Sequence, residues 1–186
     1  MTPTTQLRMM VYASLFAALT AAGAYLSIPI GPVPIVLQNM FVFLAGLILG
    51  SRWGVASVAV YLLAGACGLP VFAGGLGGIG RLIGPTGGYL LGYLPTVLII
   101  GLITKGSRKK VWIDVLAMVC GSLVLYACGV TWLKMLTHMT WAKSLAVGMY
   151  PFLPGDALKI AAAAAIARAL RPVVRIPNNF GPTDDA

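Results

Sequence analysis

The sequence predicts an all-α integral membrane protein, a bundle of six transmembrane helices, from its composition and from the spacing of its charges. Of the 186 residues, 59% are hydrophobic and 9% are charged, whereas roughly a quarter of the residues of soluble domains are charged. Glutamate is absent, and no charged residue occurs at 9–51, 53–80 or 82–104. Each of these runs matches or exceeds the roughly 20 residues that a helix needs to cross a bilayer.

Prolines and glycines divide these runs into helices. Three prolines at 28–34 interrupt the first run, because proline removes a backbone donor and blocks helical geometry. We therefore expect helices at about 8–28 and 35–50, then a tight turn at 51–53 and a third helix ending near Leu69. Three more are expected at about 85–105, at 112–132, and from 145 or 151 to 170. One domain would then cover 1–175, followed by a polar tail at 176–186.

Basic residues predict the orientation, because cytoplasmic loops of membrane proteins are enriched in lysine and arginine. With both termini in the cytoplasm, the outer side holds only Arg81, Lys134 and Lys143. The net charge of +9 is then mainly a topology signal, so we expect a multi-pass protein of the cell membrane and no nucleic-acid partner. The inner side would hold Arg8, Arg52, Lys105, Arg108, Lys109, Lys110, Arg168, Arg171 and Arg175.

Cysteine labelling tests this orientation. In a variant without the three native cysteines, a cysteine placed at Ser107 should react with a membrane-impermeant reagent only from the cytoplasmic side, because Ser107 lies in the most basic loop. Labelling of intact cells from outside would reverse the proposed topology.

Several enzyme classes are disfavoured by the motifs. Gly75, Gly77 and Gly80 fit G-x-G-x-x-G, but that motif binds dinucleotides only between a strand and a helix and with an acidic residue about 20 positions on. A packed loop is the better interpretation. The sequence contains no G-x-x-x-x-G-K-[ST] phosphate loop, so it predicts no ATP hydrolysis by this chain. An intramembrane protease would need Ser122 and His138, but His138 falls in an interfacial connector. We expect neither a catalytic residue nor a metal or cofactor.

An acid and a base share one face of the last helix. Asp156 and Lys159 are three positions apart, and ionisable residues within a span normally face the bundle interior or a cavity. Either they bind a ligand or they form a structural ion pair between helices. Lys159 precedes Arg168 by nine residues, about 13 Å of helix, so the pair should lie in the outer half of the membrane. Gln38 and Arg81 are predicted on the same outer side of the membrane. Each of them either contacts the ligand or has a structural role, Gln38 between helices and Arg81 at the lipid headgroups.

Three segments together resemble one family. V-P-I-V-L-Q at 33–38, G-P-T-G-G-Y-L at 84–90 and P-G-D-A-L-K at 154–159 are similar to the BioY family, the biotin-binding S components of energy-coupling factor (ECF) transporters. The resemblance extends from the first helix to the sixth. It implies a six-helix subunit that captures biotin from outside, while a transmembrane coupling (T) subunit and two ATPase subunits supply the energy.

The resemblance implies that biotin is the ligand, and the chemistry of biotin then predicts roles for individual residues. Asp156 would accept a ureido N–H of biotin, Lys159 would pair with Asp156 and donate to the ureido carbonyl, and Gln38 would add a polar contact. Arg81 would bind the carboxylate, and Tyr89 would line the pocket.

Docking on the T subunit would use small residues at four-residue spacing in the first helix, here Ala13, Ala17 and Ala21, with ordinary packing inside the bundle as the alternative. Two other functions stay open: a self-sufficient biotin transporter that acts as a homo-oligomer without ATPases, and a membrane enzyme.

Overall fold

The computed structural model describes residues 2–28, 32–105, 110–172 and 174. The residues Ser107, Arg108, Lys109 and Arg175 and the tail at 176–186, which enter the predictions above, lie outside these residues. Short strands β1 and β2 lie between the first two helices at Ser27–Ile28 and Ile35–Val36. The helices are α1 Pro3–Tyr25, α2 Gln38–Ala66, α3 Ile79–Ile83, α4 Gly87–Ile103, α5 Val111–Thr137, α6 Trp141–Gly148 and α7 Leu153–Leu170, with a 3₁₀ turn at Tyr150–Phe152.

Helix α2 folds back on itself at Gly50. This residue has φ 77° and ψ −173°, a conformation that glycine adopts more readily than other residues because it lacks a Cβ. The Gln38 side chain donates to the Tyr61 hydroxyl at 2.7 Å, 23 positions away, whereas a straight helix would separate the two residues by about 34 Å. The two arms of α2 therefore correspond to the predicted second and third helices, with the reversal at Gly50 and not at 51–53.

The proline-rich segment contains a small antiparallel ribbon. Ser27 pairs with Val36 and Ile28 with Ile35, and the Leu37 amide donates to the Leu26 carbonyl. The ribbon brings the end of α1 beside the start of α2. The all-α prediction did not include it, and α2 begins at Gln38 rather than at 35 because residues 35 and 36 are used as a strand.

The region between α5 and α7 differs from the predicted connector at 134–143. Helix α5 continues to Thr137 and ends where His138 takes a left-handed conformation with φ 55°. Thr140 then caps α6, accepting a hydrogen bond from the Lys143 amide. Ser122 lies about 24 Å from His138 along the same helix, so these two residues cannot act as a catalytic pair.

Membrane-spanning capacity is clearest for two helices. By length and composition, α1 and α5 could each cross a bilayer, α2 has sufficient apolar length only if its two arms are counted as one helix, and α4 is a shorter apolar helix. The core forms where α2 packs against α1 and α4 and where α4 packs against α5. Large apolar side chains such as Leu15, Leu63 and Leu123 point outward instead, as expected for a surface that faces lipid. The count of six spans and the cytoplasmic position of both termini stay predictions.

Candidate ligand-binding site

A cavity of about 360 Å³ lies where α2, α4 and α7 begin, beside the middle of α5. Small-molecule sites in proteins typically have volumes of roughly 300 to 1,000 Å³, so the cavity has room for a ligand the size of a vitamin. Apolar side chains from four segments, among them Val33, Phe72, Leu125 and Phe152, form much of its wall. All five residues predicted to bind the ligand also line it: Gln38, Arg81, Tyr89, Asp156 and Lys159.

Asp156 is the centre of the polar wall. Its Oδ1 accepts hydrogen bonds from Asn39 Nδ2 at 2.8 Å and from Lys159 Nζ at 3.0 Å. Its Oδ2 accepts from the Tyr126 hydroxyl at 2.5 Å. The three donors belong to α2, α7 and α5, so one carboxylate joins three helices. The start of α7 at Leu153, with Pro154 in its first turn, places this carboxylate near a helix N-terminus, where a negative charge is stabilised.

Lys159 and Asp156 form a nearly buried ion pair. Their side chains are 9% and 6% exposed, and such a pair is stable only where hydrogen bonds replace the lost hydration. The donors from Asn39 and Tyr126 provide this for the carboxylate. Because both charges also line the cavity, the pair can meet a ligand while it holds α7 in place.

Gln38 is fixed by a partner outside the cavity. Its Nε2 donates to the Tyr61 hydroxyl at 2.7 Å, and the Tyr61 ring packs edge-to-face against Phe72 with centroids 5.6 Å apart. Phe72 belongs to the glycine-rich loop and lines the cavity. This bond uses one of the two N–H groups of the Gln38 amide and holds the side chain in place.

Tyr89 contributes its ring and not its hydroxyl. The hydroxyl donates to the Gly148 carbonyl at 2.6 Å, which ties α4 to the end of α6. The ring lies against Gly129, where an added Cβ would come within 2.3 Å of a ring carbon. Glycine at 129 is therefore needed for the ring to take this position in the cavity wall.

Arg81 is the second cation of the cavity. It lies in α3, is half-buried, and lines the cavity. Among the residues that the structure describes, no carboxylate lies within ion-pair distance of its guanidinium. Arg81 is thus available for an anionic group of a ligand.

Asn39, Tyr93 and Tyr126 are polar residues of the cavity wall that the sequence did not single out. Asn39 and Tyr126 both bind Asp156. A signal was present in each case. Asn39 follows Gln38 at the start of an apolar helix, and buried tyrosines normally need a partner for their hydroxyls.

The small-residue face predicted for docking needs a correction. Ala13 and Ala17 are only 5% and 6% exposed and belong to the hydrophobic core, and half-buried Ala21 packs against that core. The alternative given above, packing inside the bundle, describes them. The exposed small residues of α1 are instead Ser14, Ala18 and Ala22, one position further on and at the same spacing.

A second buried carboxylate lies far from the cavity. Asp114, in the first turn of α5, accepts two hydrogen bonds from the Arg171 guanidinium at 2.7 and 2.8 Å. Asp114 is fully buried, and neither residue lines the cavity. This pair fastens the start of α5 to the end of α7 and provides a structural counterpart to the Asp156 cluster.

Comparisons with known proteins agree on one family. The family model described as "BioY family" matches residues 1–176. A protein named biotin transporter BioY from Thermotoga maritima is 42% identical over 165 residues, which are 89% of this chain and 96% of that protein. A probable biotin transporter BioY from Pyrococcus horikoshii is 43% identical over 85% of this chain and 93% of its own length.

A solved structure is similar over nearly the whole chain. It is described as the crystal structure at 2.1 Å of the S-component for biotin from an ECF-type ABC transporter. The TM-score is 0.87 with 32% sequence identity, and the match covers 92% of this chain and 95% of that one.

Proposed function

Because the chain belongs to the BioY family, a family of membrane-embedded biotin transporters, we propose that it is the S component of an ECF-type biotin uptake system and captures biotin from the outer side. The observation that carries this proposal is the buried Asp156–Lys159 pair in the wall of a cavity of about 360 Å³. A purely structural ion pair would not need a cavity of ligand size beside it.

The chemistry of biotin fits the cavity group by group. Its ureido ring carries two N–H donors and a carbonyl acceptor, which match the Asp156 carboxylate and the Lys159 ammonium. Its thiolane ring and valeryl chain are apolar and match walls such as Tyr89 and Phe72. Its carboxylate is an anion, and Arg81 is the cation of the cavity that has no carboxylate partner among the described residues. Arginine binds carboxylates with two parallel hydrogen bonds.

Arg81 gives the test of ligand orientation. With purified protein, Arg81→Gln should lower the affinity for biotin about tenfold, because a charge-assisted hydrogen bond contributes about 1.5 kcal/mol or more. Biotin methyl ester has no anionic carboxylate, so wild type and Arg81→Gln should bind it equally weakly. An equal loss for both ligands would place the carboxylate elsewhere.

The energy source is proposed to lie in partner subunits, a transmembrane T subunit and two ATPases. The sequence has no phosphate loop of the G-x-x-x-x-G-K-[ST] type. The competing hypothesis is a homo-oligomer that transports biotin alone. Uptake by cells that lack every T subunit and its ATPases would favour the homo-oligomer, whereas uptake only after their co-expression would favour the S component.

The docking surface is proposed to be the exposed stripe of α1 formed by Ser14, Ala18 and Ala22. Small residues at this spacing let two helices approach closely within a membrane. The stripe is continued by exposed apolar side chains at Val11 and Leu15. A helix of the T subunit is the proposed occupant of this surface. For this chain itself we also propose the six-span topology with both termini in the cytoplasm.

A further inference from the structure

Asn39 carries an unused acceptor in the wall of the cavity. It is the second residue of α2, is 6% exposed, and lines the cavity. Its Nδ2 donates to Asp156 Oδ1 at 2.8 Å. Because an ionised carboxylate can only accept hydrogen bonds, the amide nitrogen must face Asp156. This fixes the amide orientation and leaves Oδ1 as the free end.

The Oδ1 atom of Asn39 is buried, and no described residue donates a hydrogen bond to it. Buried polar atoms in native proteins nearly always have a partner. Of the residues with such an atom among those described, Asn39 is the one that lines the cavity, where a ligand can supply the missing donor. Asp156 differs in this respect. Three protein donors already occupy its oxygens, which leaves one of about four acceptor positions.

At these two residues the cavity wall therefore retains two free acceptors, Asn39 Oδ1 and one position on the Asp156 carboxylate, which equals the number of ureido N–H groups in biotin. We propose that Asn39 is a specificity-determining residue, whose Oδ1 accepts one ureido N–H of biotin while Asp156 Oδ2 accepts the other. This inference rests on the proposed function and deepens it. It predicts that the site distinguishes a cyclic urea with two N–H groups from a ring that has lost either one, and that the two nitrogens are recognised by different residues.

The test combines a variant with modified ligands. Asn39→Leu keeps nearly the same shape and removes the acceptor, and biotin methylated on one or on the other ureido nitrogen removes one N–H at a time. The affinity of Asn39→Leu for biotin should fall about three- to tenfold, the value of one neutral hydrogen bond. For one methyl isomer, the penalty of methylation, meaning the loss of affinity that it causes, should be smaller in Asn39→Leu than in wild type by the same factor. The reason is that the methyl group and the substitution remove the same hydrogen bond.

The second methyl isomer separates a direct contact from an indirect one. If Asn39 accepts from the ligand, methylation of this second nitrogen should lower the affinity equally in wild type and in Asn39→Leu. The hydrogen bond that it removes is the one to Asp156, which the substitution at Asn39 does not remove. Equal penalties in wild type and variant for both isomers would overturn the proposal. So would reduced penalties for both isomers, because Asn39 would then act only by positioning Asp156.

Two further variants keep the test decisive. Asn39→Ser, whose small hydroxyl leaves room for water beside Asp156 and Lys159, should show the same isomer-selective effect if Asn39→Leu does not fold. Ser57→Ala removes another buried polar group of α2 that does not line the cavity, and it should leave both penalties unchanged. Wild-type protein that binds no biotin would overturn both proposals, whereas intact binding without isomer selectivity would overturn only the role of Asn39.

Discussion

Replacing Asp156 should cause the largest loss of biotin affinity of any single change in the cavity. A hydrogen bond to a charged acceptor contributes about 1.5 to 3 kcal/mol, which corresponds to roughly ten- to a hundredfold in affinity. Asp156→Asn keeps the shape and a weaker carbonyl acceptor, and Asp156→Ala keeps neither. We therefore expect the affinity to fall in the order wild type, Asn, Ala, measured by titration of the purified protein with biotin.

The loss has a second source in the protein itself. Asp156 accepts from Asn39, Tyr126 and Lys159, so its removal leaves three donors without their acceptor and a cation without its partner. Breaking a buried pair costs about 3 to 5 kcal/mol where nothing relieves the remaining charge. Entry of water from the cavity reduces this cost. The Asn variant should therefore remain folded in detergent.

Asp114→Asn is the matched control, because Asp114 is a second buried carboxylate among the described residues and is paired with Arg171 outside the cavity. It should lower the unfolding temperature and leave the biotin affinity of the folded protein unchanged. A folded Asp156→Ala protein with wild-type affinity would contradict the site and leave the structural ion pair as the better account.

Lys159→Met provides a further comparison at the same pair. It should also weaken biotin binding, because the ureido carbonyl loses its donor. The double variant with Asp156→Ala should lose less than the sum of the two single losses, since the partners act as a unit. A loss equal to the sum would mean that the two residues contact the ligand independently.

Much of the fold could be predicted from the sequence because membrane helices leave strong local signals. Uncharged runs, prolines and glycines located the helices, and Gly50 reverses α2 within three residues of the predicted turn. The ribbon at Ser27–Ile28 and Ile35–Val36 was missed, because each strand is two residues long and shows no alternating pattern. The end of α5 was missed because His138, rather than a glycine or proline, takes the left-handed conformation.

The sequence singled out five residues that line the cavity, but it did not predict the network that connects them, and their role in binding stays a prediction. Charge within an apolar span identified Asp156 and Lys159, and polarity identified Gln38. The contacts between Asn39, Tyr126 and Asp156 could not be predicted, because Asn39 and Asp156 are 117 positions apart and their contact depends on how three helices pack. The orientation of α1 was missed for a related reason: small residues occur at 13, 17 and 21 and again at 14, 18 and 22, so spacing alone did not show which face is exposed.

The two substitutions Ala17→Trp and Ala18→Trp in α1 should have different consequences, because these neighbouring side chains lie on different faces of the helix. Ala18 is exposed, whereas Ala17 is 6% exposed and belongs to the core. Ala18→Trp should abolish biotin uptake by cells, because the large ring prevents close approach of the partner helix, while the purified protein binds biotin with wild-type affinity. Ala17→Trp should destabilise the protein itself, since overpacking a core costs typically about 1 to 3 kcal/mol and sometimes more.

The pair of variants separates docking from folding because the substitution is the same and only the face of α1 differs. Co-purification of the T subunit with Ala18→Trp should fall in parallel with uptake, whereas Leu123→Trp, which places the same large ring at an exposed position of α5 outside the stripe, should retain both. Full uptake by Ala18→Trp cells would show that α1 faces lipid at this stripe and that the T subunit binds another surface. Uptake lost together with biotin binding would instead show that residue 18 supports the bundle, and the docking proposal would fail in that case as well.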